Sequence, residues 1–175
     1  MEDYYDVVLF YAALHHFKDI ELIAERVSKS LRNDGFLILY EYVGKNRLQF
    51  EKEKIKEMNR LLRLVPVKFR KRYLTKFSKN KIYAPGLLRM IISDPSEAIE
   101  SETIIPVIHR EFKVLEEKGT GGDLLMMVLK DIAHNFMTGT PETKEILKRL
   151  FEEEDNYLMN LEIPDFIFGV YRKKS

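Results

Sequence analysis

Four side chains of this sequence have types and positions that could do chemistry. His15 and His16 follow one apolar run, and Glu41 and Tyr42 stand at the end of another. An imidazole, with an ordinary pKa of about 6.5, suits proton transfer at neutral pH, so either histidine could serve as a general base or an orienting group. A carboxylate beside a phenol could position a nucleophile or take its proton. These four residues are our candidate site.

Each of these residues also has a structural interpretation. One histidine could cap the helix that follows or satisfy backbone groups of the turn, and Glu41 could pair with a basic residue downstream. The sequence has four histidines and no cysteine, and no two histidines lie three or four residues apart, the spacing that places two metal ligands on one helix face. We therefore predict no metal site.

Two buried strands must position the candidate residues. Residues 7–14 and 36–43 are continuous apolar runs rich in β-branched and aromatic side chains, which is typical of parallel strands between layers of helices. Apolar residues recur on one helical face of residues 20–31, and an Asn-Asp-Gly turn follows. The pattern predicts a right-handed βαβ unit. Because parallel strands end at the same edge of a sheet, His15 and Glu41 are expected to lie close together.

The rest of the chain alternates between helical patterns and short strands. Its pattern predicts helices at residues 50–64, 97–100, 101–112, 123–137 and 141–161, and strands at 112–117 and 165–171. We expect Pro106 to break or kink its helix. The predicted fold class is α/β, a small, mostly parallel sheet with one antiparallel strand, flanked by helices. We expect a single domain over residues 1–175 with a helical insertion at about 47–92.

The composition is that of an ordinary globular protein. The 29 basic and 28 acidic residues nearly cancel, which gives no general reason to expect nucleic acid as a partner. The sequence contains no apolar run near the roughly 20 residues that cross a bilayer, and its first residues are acidic rather than a signal peptide. We expect a cytoplasmic protein without a membrane partner.

One basic stretch deserves a separate interpretation. Seven lysines and arginines between residues 68 and 81 alternate with aromatic residues, and the segment is predicted to be helical at first. Basic residues interleaved with aromatics can contact RNA. The preceding segment is rich in acidic residues, however, and a solvated amphipathic face is our preferred interpretation. Contact with RNA is the alternative.

The residues around the candidate site resemble a known family. Residues 6–17 (DVVLFYAALHHF) and 31–38 (LRNDGFLI) resemble the second half of the class I S-adenosylmethionine-dependent methyltransferase domain. In that family they match the fourth strand, the next helix and the fifth strand. Residues 41–44, 94–98 and 132–136 look like a subgroup of these enzymes. The resemblance spans nearly the whole chain and implies a partial Rossmann-like methyltransferase sheet.

The resemblance also implies roles for individual residues. It implies S-adenosylmethionine as cofactor and a small-molecule methyl acceptor held under the insertion, which would act as a lid. The turn after the first strand would line the cofactor, and the residues at both strand ends would contact the acceptor. The implied cofactor-binding residues are Tyr11, Ala12, Leu14 and His15, the substrate-binding residues are His16, Glu41 and Tyr42, and the catalytic residues are His15, His16 and Glu41.

The family's glycine-rich cofactor loop and its ribose-binding acidic residue have no counterpart in this sequence. The glycines at residues 119–122 lie too late in the chain and follow the wrong strand. A complete domain would need roughly 100 further residues. We therefore expect a truncated domain, or one that a homodimer or complementing chain completes through the exposed edge of the first strand. The alternative function is a non-catalytic dimerisation or partner-binding module.

Overall fold

The computed structural model describes residues 2–174, and its centre is a mixed four-stranded sheet. The strands are β1 (Tyr5–Tyr11), β2 (Leu31–Tyr42), β3 (Phe112–Gly119) and β4 (Phe166–Lys173). Their order is β1-β2-β4-β3. β1 and β2 are parallel, whereas β4 is antiparallel to both of its neighbours, so three strands run one way and β4 runs the other. This arrangement confirms the predicted α/β fold with one antiparallel strand.

Six α-helices accompany the sheet in the described residues. They are α1 (Ile20–Ser30), α2 (Lys52–Leu64), α3 (Leu87–Ser93), α4 (Ser101–Glu111), α5 (Leu125–Leu129) and α6 (Pro141–Leu158). A short 3-10 turn, Leu14–His16, lies between β1 and α1. None of the helices within residues 2–174 has the length and apolar character that a bilayer crossing requires.

The predicted βαβ unit is present as β1, α1 and β2. Its parallel register places Val7 opposite Phe36 and Tyr11 opposite Tyr40. Between Tyr5 and Val7 the register shifts, and the Asn-Asp-Gly segment predicted as a turn lies within this irregular start of β2. The side chains of β2 that face the helices belong to one buried core with residues of α1 and α4: Leu37, Leu39, Ile20, Ala24, Ile104 and Ile108.

The chain divides into two compact units by its internal contacts. The first contains the chain up to Gln49, Pro85–Thr120 and the chain from Ile163 onward, and therefore holds the sheet with α1, α3 and α4. The second contains Phe50–Ala84 and Gly121–Glu162, and therefore holds α2, α5 and α6. The segment predicted as an insertion at about residues 47–92 is thus distributed over both units.

The prediction of one long helix at residues 123–137 is wrong. α5 ends at Leu129, Lys130 leaves the helical conformation with a ψ of 131°, and Asp131 has a φ of 67°, so a separate 3-10 turn follows at Ala133–Phe136. The helix ends because of a side chain from another segment of the second unit. The ammonium of Lys79 donates hydrogen bonds to the carbonyl oxygens of Met127, Val128 and Lys130, which a continuing helix would need for its own backbone.

Three smaller expectations also differ from the structure. Residues 97–100 form turns rather than a helix, because the Asp94 side chain accepts the Ser96 N–H and Ala98 has a φ of 48°. The basic stretch starts with only a 3-10 turn, Val67–Phe69. α4 continues through Pro106 without a break, since its buried apolar neighbours hold the helix although one backbone hydrogen bond is lost.

Candidate functional site

Glu41 organises the carboxyl ends of the two parallel strands. Its side chain is buried at the end of β2. One carboxylate oxygen, Oε1, accepts the backbone N–H groups of Ala13 and Leu14, each at 2.6 Å. The other, Oε2, accepts a hydrogen bond from Nδ1 of His15 at 2.7 Å. A single carboxylate therefore fixes both the turn after β1 and the orientation of the first histidine.

The backbone of the turn explains how these groups meet. The Ala12 N–H donates to the Tyr40 carbonyl at 2.8 Å and continues the pairing of the parallel strands. Ala12 then adopts a φ of 47°, which turns the chain away from the sheet into the 3-10 turn. This reversal directs the Ala13 and Leu14 N–H groups towards the end of β2, where the acidic side chain accepts them.

Hydrogen bonding and charge shift the pKa of both partners. Burial alone would lower the pKa of His15, but the hydrogen bond and charge of Glu41, with the charges of Glu97 and Asp94, raise it above its ordinary value. Burial would raise the pKa of Glu41, but His15 and the two backbone N–H groups lower it below its ordinary value. The pair is therefore an ion pair over a wider pH range than the free side chains would allow.

A loop distant in the sequence completes the cluster around the histidines. Nε2 of His15 lies 3.9 Å from a carboxylate oxygen of Glu97. Nδ1 of His16 is 3.1 Å from the Ser96 hydroxyl, which donates to Asp94 at 2.7 Å. The two imidazole centroids are 4.2 Å apart. No spacing signal in the sequence links this loop to the histidines, which lie about 80 positions earlier.

The structure places the remaining predicted site residues in different environments. Leu14 is buried in the core of the first unit, so its backbone N–H rather than its side chain takes part in the cluster. Tyr42 is buried, donates its hydroxyl to the Lys45 carbonyl and lies with its ring edge towards His15. Tyr11 is 68% exposed and stacks on Tyr40. Of the predicted residues, the two histidines and Glu41 are therefore the ones whose side chains come together.

Several members of the basic stretch have partners inside the second unit. Lys68 pairs with Glu142 and Arg72 with Asp131. Arg70 donates to the backbone carbonyls of Val65 and Arg63. The buried Lys79 bonds to three more carbonyls, as described above. These side chains therefore have structural roles within the unit.

The same cluster contains donor atoms that could hold a metal ion. One ring nitrogen of His15, one of His16 and a carboxylate oxygen of Glu97 all lie within 4.8 Å of one another. This cluster lies at the carboxyl ends of β1 and β2, the edge at which open α/β sheets bind ligands.

Comparison with known proteins gives distant structural similarities. No protein-family model matches the chain, and no curated protein matches it. Similar solved structures include an S-adenosylmethionine-dependent methyltransferase from Mesorhizobium loti, with 13% identity, a TM-score of 0.44, and coverage of 99% of this chain and 63% of that one. The cyclopropane synthase MmaA2 from Mycobacterium tuberculosis has 14% identity, a TM-score of 0.46, and coverage of 99% and 57%.

A third similar structure is phosphoethanolamine N-methyltransferase 2 from Haemonchus contortus in complex with S-adenosyl-L-methionine. It has 12% identity, a TM-score of 0.45, and coverage of 100% of this chain and 34% of that one. The chain spans between about half and two thirds of the first five matched structures, from 52% to 64% of their length. Such low identities and TM-scores do not establish a family.

Proposed function

We propose that this chain forms the acceptor side of an S-adenosylmethionine-dependent methyltransferase and acts on a small molecule. The observation that supports this proposal most strongly concerns the Glu41 carboxylate at the end of β2. It accepts hydrogen bonds from the turn after β1 and from the His15 ring. This arrangement brings the candidate residues together at the edge of the sheet where α/β proteins bind ligands. The resemblance of residues 6–17 and 31–38 to the methyltransferase domain supplies the reaction class.

Methyl transfer requires positioning more than covalent chemistry from the protein. The acceptor displaces the sulfonium in line, and the protein aligns the two, excludes water and takes a proton where the acceptor carries one. Both oxygens of Glu41 are engaged by the turn and by His15, so Glu41 is a positioning residue in this proposal. In this proposal His15 is oriented through its Nδ1 and directs its Nε2 towards the acceptor. His16 and Tyr42 line the acceptor-binding site.

The cofactor side of the proposed site is incomplete in this sequence. The turn containing Tyr11, Ala12 and Leu14 would contact the cofactor, but the sequence has no glycine-rich loop or ribose-binding acidic residue in the matching positions. We therefore propose that full activity needs a complementing chain. For the chain alone we expect a dissociation constant on the order of 1 mM, about −4 kcal/mol of binding free energy.

Ligand-observed NMR tests this proposal at the expected affinity. S-adenosylhomocysteine, the stable product, should receive saturation from the protein, and Tyr11→Ala should weaken the effect several-fold because this exposed ring belongs to the cofactor turn. Tyr83→Ala, which removes a similarly exposed ring in the second unit, is the matched control. Absence of saturation transfer, or equal loss in both variants, would contradict the proposal.

The second candidate function, a non-catalytic dimerisation or partner-binding module, is favoured by the exposed edge of β1. β1 is the terminal strand of the sheet, and the side chains of Val7, Leu9 and Tyr11, on the face of β1 opposite the core, are 49%, 60% and 68% exposed. An exposed apolar edge strand is a template for pairing with another strand. A homodimer or a complementing chain would cover it. A stable monomer in light scattering at high concentration would contradict the homodimer.

A further inference from the structure

We propose that His15, His16 and Glu97 form a binding site for one divalent transition-metal ion. The three donors come from two segments of the first unit, the 3-10 turn after β1 and the loop before α4. Two imidazole nitrogens and one carboxylate oxygen are a donor set suited to Zn²⁺ or a similar first-row ion, whereas Mg²⁺ and Ca²⁺ prefer oxygen ligands alone. This inference rests on the donor geometry alone, although it uses the two histidines that the proposed function places beside the acceptor.

The spacing of the donors is close to what a metal ion needs. Zinc bonds of about 2.0–2.1 Å in tetrahedral geometry place neighbouring donors roughly 3.3 Å apart. The three donor atoms are within 4.8 Å of one another, and His15 Nε2 is 3.9 Å from Glu97. Glu97 is a partly exposed side chain at 24%. Rotation of this side chain can therefore close the remaining gap without movement of the sheet.

Both imidazoles are already oriented as metal ligands are. Histidines that bind metals commonly donate their second ring N–H to a carboxylate or another acceptor, which fixes the ring and its tautomer. Nδ1 of His15 bonds to the fully buried side chain of Glu41. Nδ1 of His16 bonds to Ser96, whose hydroxyl is held by Asp94. In each ring Nε2 is the remaining nitrogen, and a metal ion would bind it in place of a proton.

Three protein ligands leave one position open in a tetrahedral site. In zinc proteins this position is occupied by water or by a polar atom of the substrate, as in catalytic rather than structural sites. The proposed site therefore takes a ligand with an oxygen or nitrogen donor at the carboxyl ends of β1 and β2. Sequence spacing could not predict it, because two ligands are adjacent and the third lies about 80 positions away in the chain.

Metal titration of the untagged, chelator-treated chain tests the inference. We expect calorimetry with ZnCl₂ to give one site of micromolar or tighter affinity, and Co²⁺ to give the visible absorption of a four- or five-coordinate ion. Glu97→Gln and His16→Gln should each weaken binding at least roughly tenfold, and Glu41→Gln about 10- to 100-fold through the orientation of His15. Far-UV circular dichroism verifies that each variant is folded.

Two matched controls separate this site from adventitious binding. Glu116→Gln removes an exposed carboxylate from β3, and His109→Gln removes a histidine outside the cluster. Both should bind Zn²⁺ as the unmodified chain does. The inference is overturned if the unmodified chain does not bind one equivalent of Zn²⁺ with a dissociation constant of about 10 μM or lower. It is also overturned if Glu97→Gln binds Zn²⁺ as tightly as Glu116→Gln.

Discussion

The buried charged side chains of the two units have different kinds of hydrogen-bond partner. In the first unit, Glu41 accepts two backbone N–H groups and also the ring N–H of His15, whose second nitrogen points towards Glu97. In the second unit, Lys79 is 4% exposed and directs its ammonium to three backbone carbonyls at 2.5–3.2 Å. Glu154 likewise accepts the N–H groups of Leu124 and Leu125.

This difference separates a candidate site from a structural anchor. A buried charge whose hydrogen bonds all go to the backbone fixes the path of the chain. A buried charge that orients an ionisable ring can also act, through that ring, on a ligand that the ring contacts. We therefore propose ligand binding at the cluster of His15, His16 and Glu97 in the first unit, and a structural role for Lys79 and Glu154 in the second.

The largest expected effect is that of removing the Glu41 carboxylate. Glu41→Ala leaves two backbone N–H groups and the His15 ring without their acceptor, and should lower the free energy of unfolding by about 3–5 kcal/mol. Glu41→Gln retains an acceptor oxygen and should cost less. Urea denaturation followed by circular dichroism measures both. A loss below 1 kcal/mol in Glu41→Ala would show that the turn does not depend on this carboxylate.

Removing the buried ammonium of the second unit should have the next largest effect. Lys79→Met leaves the carbonyls of Met127, Val128 and Lys130 without their donor, and should lower the free energy of unfolding by about 2–3 kcal/mol. Lys76→Met, at an exposed position three residues away, should change it by less than about 0.5 kcal/mol. Equal unfolding midpoints in urea for the two variants would refute the anchoring role.

The same lysine predicts a pH dependence of stability. Burial lowers the pKa of Lys79 to about 8, whereas in the unfolded chain the pKa is 10.5. Between these values the unfolded state holds more protons, so stability should rise with pH, by about 1–3 kcal/mol in total. Urea denaturation at pH 7.5, 9 and 10.5 should show this rise in the unmodified chain and a smaller one in Lys79→Met. Parallel curves would contradict it.

The smallest expected effect on stability concerns the exposed edge of β1. Leu9→Lys places a charge on a side chain that is 60% exposed, so the free energy of unfolding should change by less than about 0.5 kcal/mol. If strand pairing at this edge joins two chains, the variant should nevertheless be monomeric where the unmodified chain is dimeric. Sedimentation equilibrium distinguishes the two. An unchanged dimer would place the contact elsewhere.

Local sequence patterns predicted the part of the fold that local packing determines. The apolar runs and the helical periodicity identified β1, α1 and β2, and placed His15 and Glu41 at neighbouring strand ends. Residues 123–137 were mispredicted as one helix because the periodicity of their apolar residues is helical throughout. The ammonium that donates hydrogen bonds to their carbonyl oxygens belongs to Lys79, about 50 positions earlier. A long-range hydrogen bond of this kind has no local signal.

The candidate site was predictable to the same limited extent. The sequence identified the two histidines and Glu41, whose strand ends meet through the βαβ geometry. It did not identify Glu97 or the role of Ser96, since their loop reaches the cluster only through the tertiary fold. It also left open whether Glu41 contacts a ligand directly, which depends on how many of its lone pairs the turn occupies.

Protein-observed NMR with S-adenosylhomocysteine tests the central claim most directly, that ligands bind at the strand ends of the first unit. In a ¹H–¹⁵N correlation spectrum titrated to about 10 mM ligand, well above the expected millimolar dissociation constant, we expect saturable shifts in the amides of residues 11–16 and 41–42. The amides around Lys79 should not move. Shifts confined to the second unit, or no shifts at the strand ends, would contradict the account.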